Sequence, residues 1–189
     1  MTNKNHLLQD IFNFLIQEGF LKKYPHYTET LLREVLHLPV TNSSLAPGKP
    51  SRLILYTDGA ARGNPGEAGI GVVITDTQGT VLLEISRHVG TQTNNVAEYL
   101  ALKTGLKAVQ ELAPQEVEIR LDSELVVKQI TGEYRTRHPR LKTLHEEVQA
   151  LLQRLPYWRI VHIPREQNAR ADRLANKAID SKNKQGKEQ

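Results

Sequence analysis

A chain of 189 residues with 39% hydrophobic and 24% charged side chains holds enough apolar material for one packed domain plus an appendage. It has no cysteine, which excludes disulfides, thiolate zinc sites and cysteine nucleophiles and suits a reducing cytoplasm. Its net charge of +4 leans weakly toward polyanionic partners. The apolar runs are far short of a membrane span, and Gln9 with Asp10 breaks up the N-terminal apolar residues, so neither a membrane segment nor a signal peptide is expected.

Residues 1–38 read as a helical N-terminal segment. Leu7, Leu8, Ile11, Phe12, Leu15 and Ile16 recur at helical spacing up to Gly19, and Leu31, Leu32, Val35 and Leu36 follow a break at Pro25. Residues 39–51, with three prolines, a glycine and four Ser/Thr, have linker composition. The main domain, residues 52–180, opens with an apolar strand that ends on Asp58 and gives way to a loop of small residues, Gly59 to Gly66. Strands are expected over Gly69–Thr75 and Thr80–His88, joined by a turn at Asp76–Gly79. A helix over Asn95–Leu112, a strand over Val117–Leu121, helices over Ser123–Ile130 and Leu141–Leu155, a strand over Tyr157–Ile163 and a helix over Asn168–Ile179 complete the pattern. Residues 181–189 read as a disordered polar tail. A hairpin meander followed by strands alternating with helices predicts an α/β fold, a mixed sheet with helices on it.

Four carboxylates stand at the junctions of these elements. Asp58 ends the first strand, Glu98 lies in the first turn of the first long helix, Asp122 ends the fourth strand and Asp172 sits in the last helix. Ligands of α/β sheets gather beyond the carboxyl ends of parallel strands, where Asp58 and Asp122 would arrive side by side. Clustered carboxylates repel one another, and bound cations make such a cluster tolerable. Hard oxygen donors suit Mg²⁺ or Mn²⁺. Two such ions, about 4 Å apart, can clamp the attacking and leaving oxygens of a phosphodiester. Each acid also has a plainer reading: Asn95–Glu98 fits a capping box, Asp122 can cap the next helix, and Asp172 can be a solvated charge paired with Arg170 or Arg173.

Four ordered motifs, TDGAARGNPG (57–66), TNNVAEYLAL (93–102), LDSELVV (121–127) and REQNARADRLAN (165–176), support a family assignment. Over Leu53–Ile179 the chain resembles ribonuclease H type 1, whose fold is shared with the ribonuclease H domains of reverse transcriptases. The resemblance implies a five-stranded mixed sheet flanked by helices, two Mg²⁺ ions, and hydrolysis of the RNA strand of an RNA–DNA hybrid. It maps the catalytic, metal-holding carboxylates onto Asp58, Glu98, Asp122 and Asp172. It brings Gly59, Ala60 and Ala61 close to RNA 2′-hydroxyls, Asn94 and Asn95 to base edges or sugars, and Asn64 to a phosphate. Asn168 shares a helix face with Asp172 and joins the substrate-binding set.

The sequence departs from the family in two places. In place of a long basic protrusion it has the short connection Thr131–Lys142, whose Arg135 and Arg137 are expected to contact phosphate. The loop before the last helix has no plain equivalent of the family's histidine: ungapped counting reaches His162 inside the fifth strand, whereas Arg165 lies on the loop and is assigned an electrostatic role in catalysis. A non-catalytic nucleic-acid-binding adaptor of the same fold, or a 3′–5′ exonuclease or transposase-like relative, is the alternative.

Overall fold

A computed structural model describes residues 50–185 and, before them, residues 11, 14, 15, 19 and 20, of which Ile11, Phe14, Leu15 and Phe20 lie in helical backbone. The rest of the expected N-terminal helices, the linker to residue 49 and residues 186–189 of the tail lie outside the described residues. The elements are β1 (Arg52–Gly63), β2 (Gly66–Thr75), β3 (Val81–Gln92), α1 (Asn94–Leu112), β4 (Glu116–Leu121), α2 (Glu124–Ile130), α3 (Pro139–Leu152), β5 (Tyr157–His162), a 3₁₀ turn (Arg165–Asn168) and α4 (Ala169–Gln185). The sheet runs β3-β2-β1-β4-β5, with β1, β2 and β3 antiparallel and β4 and β5 parallel to β1. The expected five-stranded mixed sheet with flanking helices is therefore what forms. Among the described residues no helix is long and apolar enough to cross a membrane.

Local chemistry sets the joints. The Asp76 carboxylate accepts from the backbone N–H groups of Gln78 and Thr80, both at 2.8 Å, and Gly79 turns at positive φ to close the β2–β3 hairpin. The Thr93 hydroxyl accepts from the Val96 N–H and caps α1, so Thr93, and not an Asn95–Glu98 capping box, starts that helix. Ser123 caps α2 in the same way, which leaves Asp122 free of that duty.

Leu53 and Leu55 of β1, with Val117 and Ile119 of β4, form the floor of the core. Leu102, Leu106 and Val109 of α1 lie on them, backed by Val148 and Leu152 of α3. Each such side chain, fully withdrawn from water, contributes about 1.5–3 kcal/mol. On the opposite surface α4 lies against β2, β1 and β3. Gly71 permits that close approach, since a Cβ there would overlap the Ala171 carbonyl. Farther along the same surface Glu118, 3% exposed, accepts from Arg52 at 2.5 Å, Arg159 at 2.5 Å and Arg120 at 2.7 Å, and Arg120 also donates to the Tyr56 hydroxyl at 2.7 Å.

Two expectations are corrected. β1 does not stop at Asp58; it continues to Gly63, because β2 pairs with it residue for residue from Ile54↔Thr75 to Gly63↔Gly66, and small residues in a strand do not end a ladder that has a partner. Nor is the tail without structure from residue 181: the backbone of α4 runs on to Gln185.

Candidate active site

The position of Asp58 follows from strand register. β4 accompanies β1 from Arg52↔Glu116 to Tyr56↔Arg120, and the same offset carried onward puts Asp122 beside Asp58. β4 ends there while β1 continues with β2 alone, so the two carboxylates stand where the parallel ladder opens. Glu98 arrives from above. Gly59 is buried under α1, where a Cβ would overlap the Ala97 carbonyl carbon and the Glu98 nitrogen, and the Gly59 N–H faces the Glu98 carboxylate. Gly59 is packed tightly beneath α1, while Ala60 and Ala61 beside it are half-buried.

One carboxylate oxygen from each of Asp58, Glu98 and Asp122 lies within 4.8 Å of the others. Asp58 and Glu98 are each only 5% exposed, and Glu98 Oε2 is buried without a hydrogen-bond partner. Burial, followed by the charges of Asp122 and Asp172, pushes the Asp58 carboxyl up to about 7, against the pull of Arg165. Burial and the charges of Asp58 and Asp122 likewise hold Glu98 well above its usual range, despite the Gly59 N–H and Arg165. An orphaned anionic oxygen, three converging carboxylates and no softer donor fit a hard divalent cation.

Asp172 stands beside this trio. Its Oδ1 accepts from Arg165 Nη2 at 2.7 Å, and Asn176, one turn along α4, donates to its Oδ2 at 3.2 Å. Asn176 is a residue that i,i+4 spacing could have singled out. Asn168 is buried, 1% exposed, and its Nδ2 donates to Asp122 Oδ1 at 2.6 Å and to the Thr57 carbonyl at 2.9 Å. It is turned inward from the 3₁₀ turn before α4 and holds the Asp122 carboxylate. His162 ends β5 instead of lying within it; it is exposed, and its Nε2 lies 3.2 Å from the Asp122 carbonyl oxygen. Asn64, Asn94 and Asn95 are exposed together at the mouth of the site, with Asn64 Oδ1 accepting from the Asn94 N–H at 3.2 Å. Arg135 and Arg137 are exposed in the turn between α2 and α3, and among the described residues neither forms an ion pair.

Residues 56–178 match the family model described as reverse transcriptase-like. Ribonuclease HI of Halobacterium salinarum is 42% identical over 134 residues, which span 71% of this chain and 67% of that protein. The chain belongs to the ribonuclease H family. The crystal structure of RNase H1 from the same halophile superimposes with a TM-score of 0.68 over 69% of this chain and 99% of that one. LC11-RNase H1, a compost metagenome protein crystallised in complex with RNA/DNA hybrid, is 51% identical, with a TM-score of 0.65 over 68% of this chain and 97% of that one. The bifunctional protein Rv2228c of Mycobacterium tuberculosis is 41% identical over 131 residues, and there the match spans only 36% of the longer protein. In this ribonuclease H family member the match to the family model begins at residue 56.

Proposed function

We propose that the chain hydrolyses the RNA strand of RNA–DNA hybrids as a divalent-metal-dependent endoribonuclease. The convergence of Asp58, Glu98 and Asp122 around an unpartnered Glu98 oxygen carries this reading, supported by a hybrid-bound relative at 51% identity. These three residues would hold Mg²⁺, or Mn²⁺ in its place, with Asp172 completing the set. Such ions, when bound, generate a nucleophilic hydroxide and stabilise charge on a phosphate undergoing displacement.

The chain's own groups prepare that chemistry. Asn168 aims Asp122, so one of the three carboxylates is oriented before substrate arrives. Ala60 and Ala61 leave room at the sheet edge for a 2′-hydroxyl, the group that distinguishes RNA from DNA. Asn94 and Asn95 reach minor-groove sugars and base edges, and Asn64 a phosphate. Arg165 keeps one arm on Asp172, while the side chain as a whole is 75% exposed and free to meet a phosphate oxygen. Arg135 and Arg137 supply unpaired charge for the nucleic-acid backbone. Residues 52–180 form the catalytic unit, joined through the linker at 39–51 to a helical segment at 1–38, in a protein whose lack of cysteine suits the cytoplasm.

Labelled RNA–DNA hybrid, DNA duplex and RNA duplex, incubated side by side with Mg²⁺ or with EDTA, test the proposal. Internal cuts in the RNA of an end-blocked hybrid, lost in EDTA, are expected. An intact hybrid in Mg²⁺, or degradation only from a free end, overturns it.

A further inference from the structure

The turn that carries Arg135 and Arg137 lies against a phenol of α1. Tyr99, the residue after Glu98, is fully buried, and its hydroxyl donates to Gln129 Oε1 at 2.9 Å near the end of α2. The Gln129 carbonyl oxygen lies 3.1 Å from Nε2 of His145 in α3, and the His145 ring meets the Tyr99 ring edge-on with centroids 6.4 Å apart. On the far side of the turn Thr136 brings its buried hydroxyl against the Tyr99 oxygen without closing a full hydrogen bond. One oxygen on α1 therefore faces both α2 and the far limb of the segment that follows it.

Within that segment Gly132 reverses the chain at positive φ, and the Tyr134 N–H donates to the Lys128 carbonyl at 2.9 Å. Lys128 Nζ sits 5.0 Å from the centre of the Tyr134 ring. Thr136 is turned inward while Arg135 and Arg137, on either side of it, are exposed. Packing alone does not call for a tyrosine here: phenylalanine would fill the same space without burying a hydroxyl, which costs stability unless it is partnered.

We propose that Tyr99 is a positioning residue for substrate binding, its hydroxyl fixing the turn so that Arg135 and Arg137 meet the nucleic-acid backbone at a set distance from Glu98. Because Tyr99 and Glu98 are neighbours on one rigid helix, the backbone contact and the metal-holding carboxylate share a frame of reference. The inference rests on the reading of this turn as a phosphate contact in a hybrid-cleaving enzyme.

Steady-state cleavage of RNA–DNA hybrid by the full chain in Mg²⁺, over a series of salt concentrations, tests it. Tyr99→Phe is expected to raise KM roughly threefold to tenfold, the factor carried by one lost hydrogen bond, with kcat unchanged and a shallower dependence of kcat/KM on salt. Thr136→Val, which alters the turn and leaves α1 untouched, is expected to do the same and carries the test if Tyr99→Phe folds poorly by thermal melt. Arg135→Gln combined with Arg137→Gln should raise KM at least as much, and adding Tyr99→Phe to that pair should change nothing further. Wild-type KM in both hydroxyl variants, a loss confined to kcat, or full additivity with the arginine pair overturns the proposal. If the arginine pair leaves KM and the salt slope unchanged while hybrid is still cut, the phosphate role of the turn fails and the cleavage reading stands. No cleavage by the unaltered chain removes the reading on which both rest.

Discussion

Asp58→Asn separates what the carboxylate cluster does for chemistry from what it costs the fold. The Asp58 carboxyl is held at about 7 against its usual 3.8, first by burial and then by Asp122 and Asp172. Between those pH values the folded state keeps a proton that the unfolded state has released. Stability of the ion-free protein therefore falls as pH rises through that window. Each pH unit of the interval is worth about 1.4 kcal/mol. Because Asp58 and Glu98 share the same field, removing the Asp58 charge is expected to return about 2–4 kcal/mol. Urea denaturation in EDTA at pH 8 should show Asp58→Asn more stable than the unaltered chain, with the difference closing toward pH 4. Saturating Mg²⁺ should stabilise the unaltered chain and raise the variant less, since binding to the folded state adds RT ln(1 + [L]/Kd). Hydrolysis of hybrid by the variant should be lost. Near-normal turnover of the variant in Mg²⁺, or a variant less stable than its parent in EDTA at pH 8, would refute the reasoning.

Glu118 should show the opposite pH trend: burial alone would raise it, but hydrogen bonds from Arg159, Arg120 and Arg52 take it down to about 2, so its contribution is present above pH 4.5 and lost as pH falls toward 2. Glu118→Gln should cost about 2–3 kcal/mol at pH 7 in urea denaturation and almost nothing near pH 2. Arg165→Ala should lower kcat about tenfold or more through loss of a charge-assisted contact, and His162→Ala should cost less; the reverse order in single-turnover assays would transfer the role to His162. Gly59→Ala should destabilise by about 3 kcal/mol, measured by thermal melt, because a Cβ has no room beneath α1. A chain beginning at Ser51 should remain soluble and cut hybrid, with KM raised if residues 1–38 aid binding; insolubility would place those residues in the core.

Much of this fold is legible in sequence where periodicity and punctuation agree. The alternation of β1, the Asp76–Gly79 turn, the α1 pattern ending before Pro114 and the short β4 leading into Asp122 all lie close to where the residues put them. What sequence could not show is contact between distant elements. Gly59 looks like a loop residue when it is read beside Asn64–Pro65–Gly66, yet its smallness answers to the backbone of α1 some forty positions on. Asn168 looks like a surface neighbour of Asp172 at helical spacing, but the 3₁₀ turn breaks that spacing and sends its amide to Asp122 and Thr57. Tyr99 passes as one more apolar position of α1, since nothing in the local pattern reveals that its hydroxyl meets Gln129 and Thr136.

The geometry of the cluster cannot come from the carboxylates themselves, which repel one another in the absence of cations. It is imposed from outside by three separate devices. The register of β1 against β4 sets Asp58 and Asp122 side by side just where the parallel ladder ends. The missing side chain at Gly59 lets α1 come down far enough to bring Glu98 against the strand. The Asn168 amide spans the Thr57 carbonyl and Asp122, linking the backbone just before one carboxylate to the side chain of another. Each device belongs to a different element and none runs through the Asp58 carboxylate. Neutralising Asp58 should therefore relieve repulsion without loosening the frame, which is why a gain in ion-free stability and a loss of hydrolysis are expected from the same substitution.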